Sequence, residues 1–343
     1  MLKALRFEQT DRPPFDLMEG CVWAELADHF REAHSLGDAA EIIEYIDPDC
    51  RWLGPRYVPP ETPADAAEEA PAEQDGEAPP PTYSWQVEHG PLADATSVAE
   101  VEAYPMPDPS IWQPGDYQAM RERYPDYALV LGHTWNPLFW GACEAFGMSN
   151  ALVKMIEEPQ VFDAFVRRRQ EFYLDILRRS LAEAEGLVDI CWLGDDYASQ
   201  QAMIMSPELW RKRIKPYLAE QVQLARDHGL YVLFHSCGAV RDILPDFIDI
   251  GINAHLVFQT TAAGMDAESI AREFGGKLAF YGGIDIQQLL SYGTTEEVAE
   301  TVRANARAFE KCGGYIVANS HHGVATIRGE NLEAMCRAAR EGQ

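Results

Sequence analysis

His235 and Cys237 stand two residues apart at the end of an apolar run, in the stretch Leu230 to Gly238 that reads LYVLFHSCG. On an extended backbone, side chains two apart share a face, so this imidazole and thiol point the same way. Imidazole nitrogen beside thiolate sulfur is a donor pair that suits zinc. The plainer account makes Cys237 a small buried hydrophobe and His235 a satisfied core histidine. Two further groups tilt the balance: the acid pair Asp195-Asp196 and the histidine pair His321-His322. With one histidine of the 321–322 pair, His235 and Cys237 make a three-ligand set with an open fourth position, the arrangement catalytic zinc needs. Asp195 or Asp196 then serves as a fourth ligand, a partner to a ligand, or a general base. Taken singly, each has a bland reading: an aspartate capping a loop, a polar turn.

Each of these groups follows a short apolar run, and that repetition points to the elements beneath them. Tyr127 to Leu131 runs into Gly132-His133-Thr134-Trp135, and Val188 to Leu193 into Gly194-Asp195-Asp196. Leu230 to Phe234 runs into His235, Ala254 to Phe258 into Gln259, Lys277 to Tyr281 into Gly282-Gly283-Ile284-Asp285, and Tyr315 to Ala318 into Asn319-Ser320-His321-His322. Helical patterns separate most of them, at about 139–157, 159–185, 206–227, 239–248, 265–274, 295–311 and 330–340. Ser206-Pro207-Glu208 is a helix start by its cap, its first-position proline and its first-turn acid. Strands alternating with helices imply a parallel sheet. An N-terminal strand in 14–20 and one strand not located bring the number to about eight. With every polar cluster at a carboxyl end, a (β/α)8 TIM barrel with a single active-site mouth is expected, in one domain spanning 1–343. No glycine-rich phosphate turn follows any strand, which argues against an open dinucleotide-binding sheet.

Composition narrows the partners. The chain is 47% hydrophobic over 343 residues, enough for a large core. A formal net charge of −27 argues against nucleic acid or an anionic membrane. No run reaches about 18 apolar residues, so no spanning helix is expected. The start shows no signal-peptide pattern, and seven scattered cysteines fit reduced thiols. A cytoplasmic location follows as the expectation. From Tyr57 to Met120 there is no Lys or Arg against thirteen acids. Within it, the Ala/Glu/Pro tract near residues 59–81 cannot bury a core and is read as an acidic surface insertion.

The ordered motifs also resemble a known family, that of uroporphyrinogen decarboxylase. They are E-Q-T-D-R-P-P-F (8–15), G-D-D-Y-A-S-Q (194–200), S-P-E-L-W (206–210), K-P-Y (215–217), H-S-C-G (235–238), F-G-G-K-L-A-F-Y-G-G-I-D-I-Q (274–287), G-T-T-E-E-V (293–298), G-G-Y-I-V-A-N-S-H-H-G (313–323) and E-N (330–331). The resemblance implies a (β/α)8 barrel and one of two chemistries. One is metal-free decarboxylation of uroporphyrinogen, whose enzymes hold substrate carboxylates with arginines of an M-R-Q-A-G-R segment. The corresponding stretch here, D-L-M-E-G-C-V-W-A-E-L (16–26), has no arginine. The other is methyl transfer to or from a corrinoid (cobalamin) carried by a partner protein, with zinc on H-x-C plus a late cysteine. That late position, ten residues before Asn331, is His321.

The resemblance therefore implies zinc on His235, Cys237 and His321. It also matches His322 to a late family histidine, a catalytic role, while their place at the expected mouth gives Asp195 and Asp196 catalytic roles and makes His133, Trp135, Gln259, Asp285 and Asn319 candidate substrate contacts. The expected function is a zinc-dependent methyltransferase or demethylase acting on a small methoxylated or thiol compound. A uroporphyrinogen decarboxylase and a non-catalytic tetrapyrrole- or corrinoid-protein-binding module are the alternatives. Trp135, Trp140 and Trp192 hint at an aromatic pocket, although core packing explains each as well. Deleting residues 61–80 should leave the melting temperature essentially unchanged. A large drop would show that this tract is part of the packed fold.

Overall fold

The computed structural model describes residues 1–58, 90–132, 135 and 137–341. The acidic tract, His133 and Thr134 lie outside the described residues. Nine strands are described: β1 (Cys50–Leu53), β2 (Arg56–Tyr57), β3 (Trp112–Gln113), β4 (Ala128–Leu131), β5 (Ile190–Gly194), β6 (Tyr231–His235), β7 (Ala254–Phe258), β8 (Ala279–Ile284) and β9 (Tyr315–Asn319). β2 and β3 form a small antiparallel pair. The other seven make one parallel sheet in the order β1-β4-β5-β6-β7-β8-β9. Chain order equals spatial order from β4 onwards, with helices between, as right-handed β/α winding requires.

The sheet curls into a barrel, and its closure differs from the expectation. The N-terminal segment is not a full strand. Phe15 makes a single parallel bridge to Val317 of β9, and its carbonyl accepts from Asp49 N–H beside β1 at 2.9 Å. One extended residue thus joins the two edge strands. The chain then turns into a short 3₁₀ helix, Met18–Gly20. The strand that the sequence did not locate is β1, four residues long.

Alternation sorts each strand between two layers. Ala128, Val130, Ile190, Trp192, Leu233 and Ala279 pack with one another inside the barrel. Leu129, Leu131, Cys191, Leu193, Phe234 and Phe280 pack outward against the helices. Because both faces are buried, the strands read as continuous apolar runs. The helices differ from the expectation where backbone breaks intervene. The 139–157 pattern is two helices, Phe139–Phe146 and Met148–Glu157, parted at Gly147. The 206–227 pattern is Pro207–Arg213 and Lys215–Asp227, with Pro216 opening the second. A helix also forms at Val98–Ala103, where Ser97 and Glu100 make a capping box. No described helix is long and apolar enough to cross a membrane.

One acid sits inside the barrel. The Asp16 carboxylate accepts from Trp52 Nε1 at 2.7 Å and from the Tyr281 hydroxyl. Burial pushes its carboxyl up to about 6, against the lowering pull of Tyr281 and Trp52. The folded chain then holds a proton that the unfolded chain releases from about pH 4 upwards. The stabilisation is complete below that value and is lost as pH rises through 6. The gap between 3.8 and about 6 corresponds to about 3 kcal/mol. Asp16→Asn should abolish most of that decline, measured as unfolding free energy between about pH 4 and pH 7.5. An unchanged slope in the variant would assign the pH dependence to other groups.

Candidate active site

Alternation carries His235 to the barrel interior as the last residue of β6, and Cys237 follows on the same side. The Cys237 Sγ lies 3.6 Å from His235 Nε2. Nitrogen and sulfur bound tetrahedrally to one zinc, at about 2.0 and 2.3 Å, stand about 3.5 Å apart. His321, in the turn after β9, completes the group. Ligand atoms of His235, Cys237 and His321 all lie within 4.8 Å of one another. Its ring stands edge-on to that of His235, with centroids 5.7 Å apart.

Burial sets the protonation of two of these donors. Burial lowers His321 to about 3, with His235 and His322 adding to the effect. It is therefore neutral at ordinary pH, the form that ligates a metal. Burial pushes the Cys237 thiol up, and the nearby Asp196 carboxylate adds to the rise. The thiol keeps its proton until a cation compensates the buried charge.

The sequence reading missed Glu19. Its Oε1 accepts from His235 Nδ1 at 2.5 Å and its Oε2 stands 2.5 Å from His322 Nε2. A carboxylate only accepts, so each imidazole presents N–H to it. His235 thus turns its Nδ1–H to Glu19 and its Nε2 towards Cys237. Carboxylates behind histidines set metal ligands in this way. Burial alone would raise Glu19, but His235 and His322 hold it far below the usual carboxylate range. Burial would lower His322, while Cys21 and Glu19 more than reverse that and raise it. Glu19 occupies a left-handed conformation, φ 57°. A non-glycine residue held there costs roughly 1 kcal/mol or more and marks a constrained site. Its one sequence signal was an acid in place of the expected arginines in 16–26.

The aspartate pair divides. Gly194 is the inward residue at the end of β5, so Asp195 points outward and Asp196 towards the mouth. Asp195 is 2% exposed. Its oxygens accept from the backbone N–H groups of Leu138, Phe139, Trp140 and Asp196 at 2.7–3.0 Å. It caps the start of the Phe139–Phe146 helix, where a carboxylate also meets the positive end of the helix dipole. Asp196 accepts from Cys237 N–H at 2.7 Å and lies 3.9 Å from His235 Nε2. It remains partly exposed.

The expected substrate contacts are mostly engaged with the backbone. Gln259 Oε1 accepts from Gly238 N–H at 2.9 Å and from Gln200. Asp285 caps the helix Leu289–Tyr292 through N–H groups of Gln288 and Leu289. Asn319 Oδ1 accepts from Met18 N–H at 3.0 Å, and its Nδ2 donates to the His321 carbonyl at 2.6 Å. It ties the Glu19 segment to the His321 turn. Trp135 faces the site, edge-on to His235 with centroids 5.1 Å apart. Gly194 makes room for both rings: a Cβ there would meet Trp135 at 2.8 Å and His235 at 3.1 Å. His133 lies outside the described residues.

Fold and mouth define a parallel β/α barrel whose strand ends converge on a partly buried nitrogen–sulfur donor cluster. The sequence profile described as uroporphyrinogen decarboxylase (URO-D) matches residues 117–342. The chain belongs to that family. No curated protein matches it. Among solved structures, a methyltransferase from Methanosarcina mazei superposes with a TM-score of 0.64 at 17% identity, over 99% of this chain and 97% of that one. A D-psicose 3-epimerase from Clostridium cellulolyticum H10 reaches a TM-score of only 0.35 at 12% identity, over 71% and 84% of the two chains. At these identities the likeness is one of fold.

The two aspartates should separate cleanly in stability. Asp195→Ala orphans three buried N–H groups and a half-buried fourth and should cost at least about 3 kcal/mol. Asp196→Ala removes one bond at a wetter position and should cost about 1 kcal/mol. Thermal unfolding of the two variants checks this. Equal losses would contradict the division of roles.

Proposed function

We propose that the protein is a zinc-dependent methyltransferase or demethylase. It moves a methyl group between a small methoxylated or thiol compound and a corrinoid carried by a partner protein. The observation that carries this reading is the convergence of His235, Cys237 and His321 within 4.8 Å at the barrel mouth. Family membership and the fold shared with a methyltransferase support it. Three N/S donors, one backed by a carboxylate, fit catalytic zinc better than any oxygen-seeking cation.

His235, Cys237 and His321 would hold the zinc. Bound there, it acts as a Lewis acid that lowers the pKa of a thiol or hydroxyl. Glu19 keeps His235 in the ligating tautomer and orientation. Asp196, beside the ligands and partly exposed, would take the proton from a thiol or hydroxyl that receives the methyl, or return one to the oxygen of a methoxylated compound as its methyl leaves. Trp135 and Trp192, whose rings stand 6.3 Å apart, wall one side of the mouth and limit water. The corrinoid supplies the methyl-carrying cobalt from the partner.

Decarboxylation of a polycarboxylate fits less well. The segment 16–26 brings the Glu19 carboxylate to the mouth where arginines would be wanted, and the chain as a whole is strongly acidic.

The test is metal content of tagless protein, followed by a coupled assay with a corrinoid protein and methoxylated or thiol substrates. About one zinc per chain should depend on Cys237 and be lost in Cys237→Ala. Removing that zinc should abolish methyl transfer, and restoring it should recover activity. No metal at the mouth even after reconstitution under reducing conditions would end the zinc reading. Carbon dioxide release without metal would then support the decarboxylase, and no turnover at all would support a binding module.

A further inference from the structure

A second histidine–carboxylate group lies apart from the barrel mouth. His29 and His34 sit on the helix Ala24–His34, and Glu333 on the terminal helix Gly329–Glu341. Both imidazole Nε2 atoms stand 2.8 Å from the same oxygen, Glu333 Oε1. All three side chains are about one-quarter exposed, at 24%, 27% and 26%. Their donor atoms lie within 4.8 Å of one another.

We propose that His29, His34 and Glu333 form a structural site for a divalent transition cation, with zinc as the natural occupant. The inference does not depend on the function proposed above. Two imidazoles and one carboxylate are a donor set that zinc accepts, with water free to fill a fourth position. An ordinary ion pair needs one histidine on a carboxylate. Here two histidines, five residues apart on one helix, converge on one oxygen of another.

Packing pre-orients both rings. The His34 ring is tilted against Tyr45 with centroids 4.6 Å apart and against Phe30 at 5.5 Å. The His29 ring lies against Gly329, where an added Cβ would meet it at 2.0 Å. Glycine at the helix start is what admits the imidazole. Metal–nitrogen and metal–oxygen bonds of about 2.0–2.2 Å would need the 2.8 Å contacts to open by roughly half an ångström. The partly exposed Glu333 side chain can supply that movement.

Such a cation would tie the helix Ala24–His34 to the terminal helix Gly329–Glu341. The helix Ala24–His34 begins three residues after Cys21 and so anchors the segment that delivers Glu19. Occupancy would hold that segment in place without touching the mouth ligands.

Cobalt(II) distinguishes the two sites, since thiolate ligation adds a sulfur-to-cobalt charge-transfer band that a His₂Glu site cannot give. Tagless full-length chain is stripped with chelator and titrated with cobalt(II) or zinc(II), with metal counted after desalting. In Cys237→Ala, one equivalent should remain, without the thiolate band. Adding His29→Gln and His34→Gln should remove it, together with the rise of a few degrees in Tm that zinc confers. Glu333→Gln, which still accepts imidazole N–H but ligates weakly, should lower affinity at least tenfold and guards against a folding defect in the double variant. Loss of all metal in Cys237→Ala would overturn the proposal. So would unchanged stoichiometry and affinity in the histidine and Glu333 variants. A chain whose thiolate band is absent but whose remaining equivalent depends on His29 and His34 would support this site while refuting zinc at the mouth.

Discussion

The mouth depends on one carboxylate shared by two imidazoles. Glu19 is nearly enclosed, and each of its oxygens meets a ring nitrogen, of His235 on one side and His322 on the other. A buried carboxylate is tolerable only when its oxygens are met by donors. The arrangement therefore specifies much at once: the orientation of the His235 ring, the direction of its Nε2, and the position of the turn that holds His321 and His322. The left-handed backbone of Glu19 is kept because the surroundings over-determine it. Asn319 grips the neighbouring Met18 N–H from the opposite strand end, and Trp52 packs over Gly20.

Barrel closure and site assembly use the same few residues. Phe15 completes the sheet between β9 and β1: its neighbours Pro14 and Asp16 exchange two backbone bonds with Val317, and its own carbonyl accepts from Asp49 N–H. Asp16 turns inward to Trp52 and Tyr281, and Glu19 reaches the mouth three residues later. Any change that loosens Phe15 would also displace Glu19. The sheet supplies the counterpart. Gly194 and His235 are paired across β5 and β6, so the missing side chain on one strand gives space for the histidine and tryptophan beside the other.

Much of this was legible in the chain. Apolar runs ending in polar clusters marked six strands and the end of the barrel that carries the chemistry. The H-x-C spacing placed two donors on one side of an extended backbone. The aspartate pair was not resolvable in the same way. Ile190 to Leu193 is apolar at every position, so alternation left no mark from which to count Asp195 outward and Asp196 inward. Gln259, Asp285 and Asn319 were expected to meet substrate because they end strands. Strand ends are also where backbone N–H groups of the next turn lack partners, and these side chains satisfy them. Glu19 carried no spacing signal, since its partners are 216 and 303 residues away.

The sequence by itself determined the winding of strands and helices, because hydrophobic periodicity and capping act over a few residues. It also determined the chemical character of the mouth, because donor types need no coordinates. Only the tertiary structure decided which donors meet. Closing the sheet brings the N-terminal segment beside the ends of β6 and β9, and that contact chooses Glu19 as the partner of His235 and His322. The physical reason is one of range. Propensity and pattern are local, whereas a buried charge must find its counter-groups across the fold. The same distance separates His29 and His34 from Glu333, which meet only because the first and last helices of the barrel wall lie side by side.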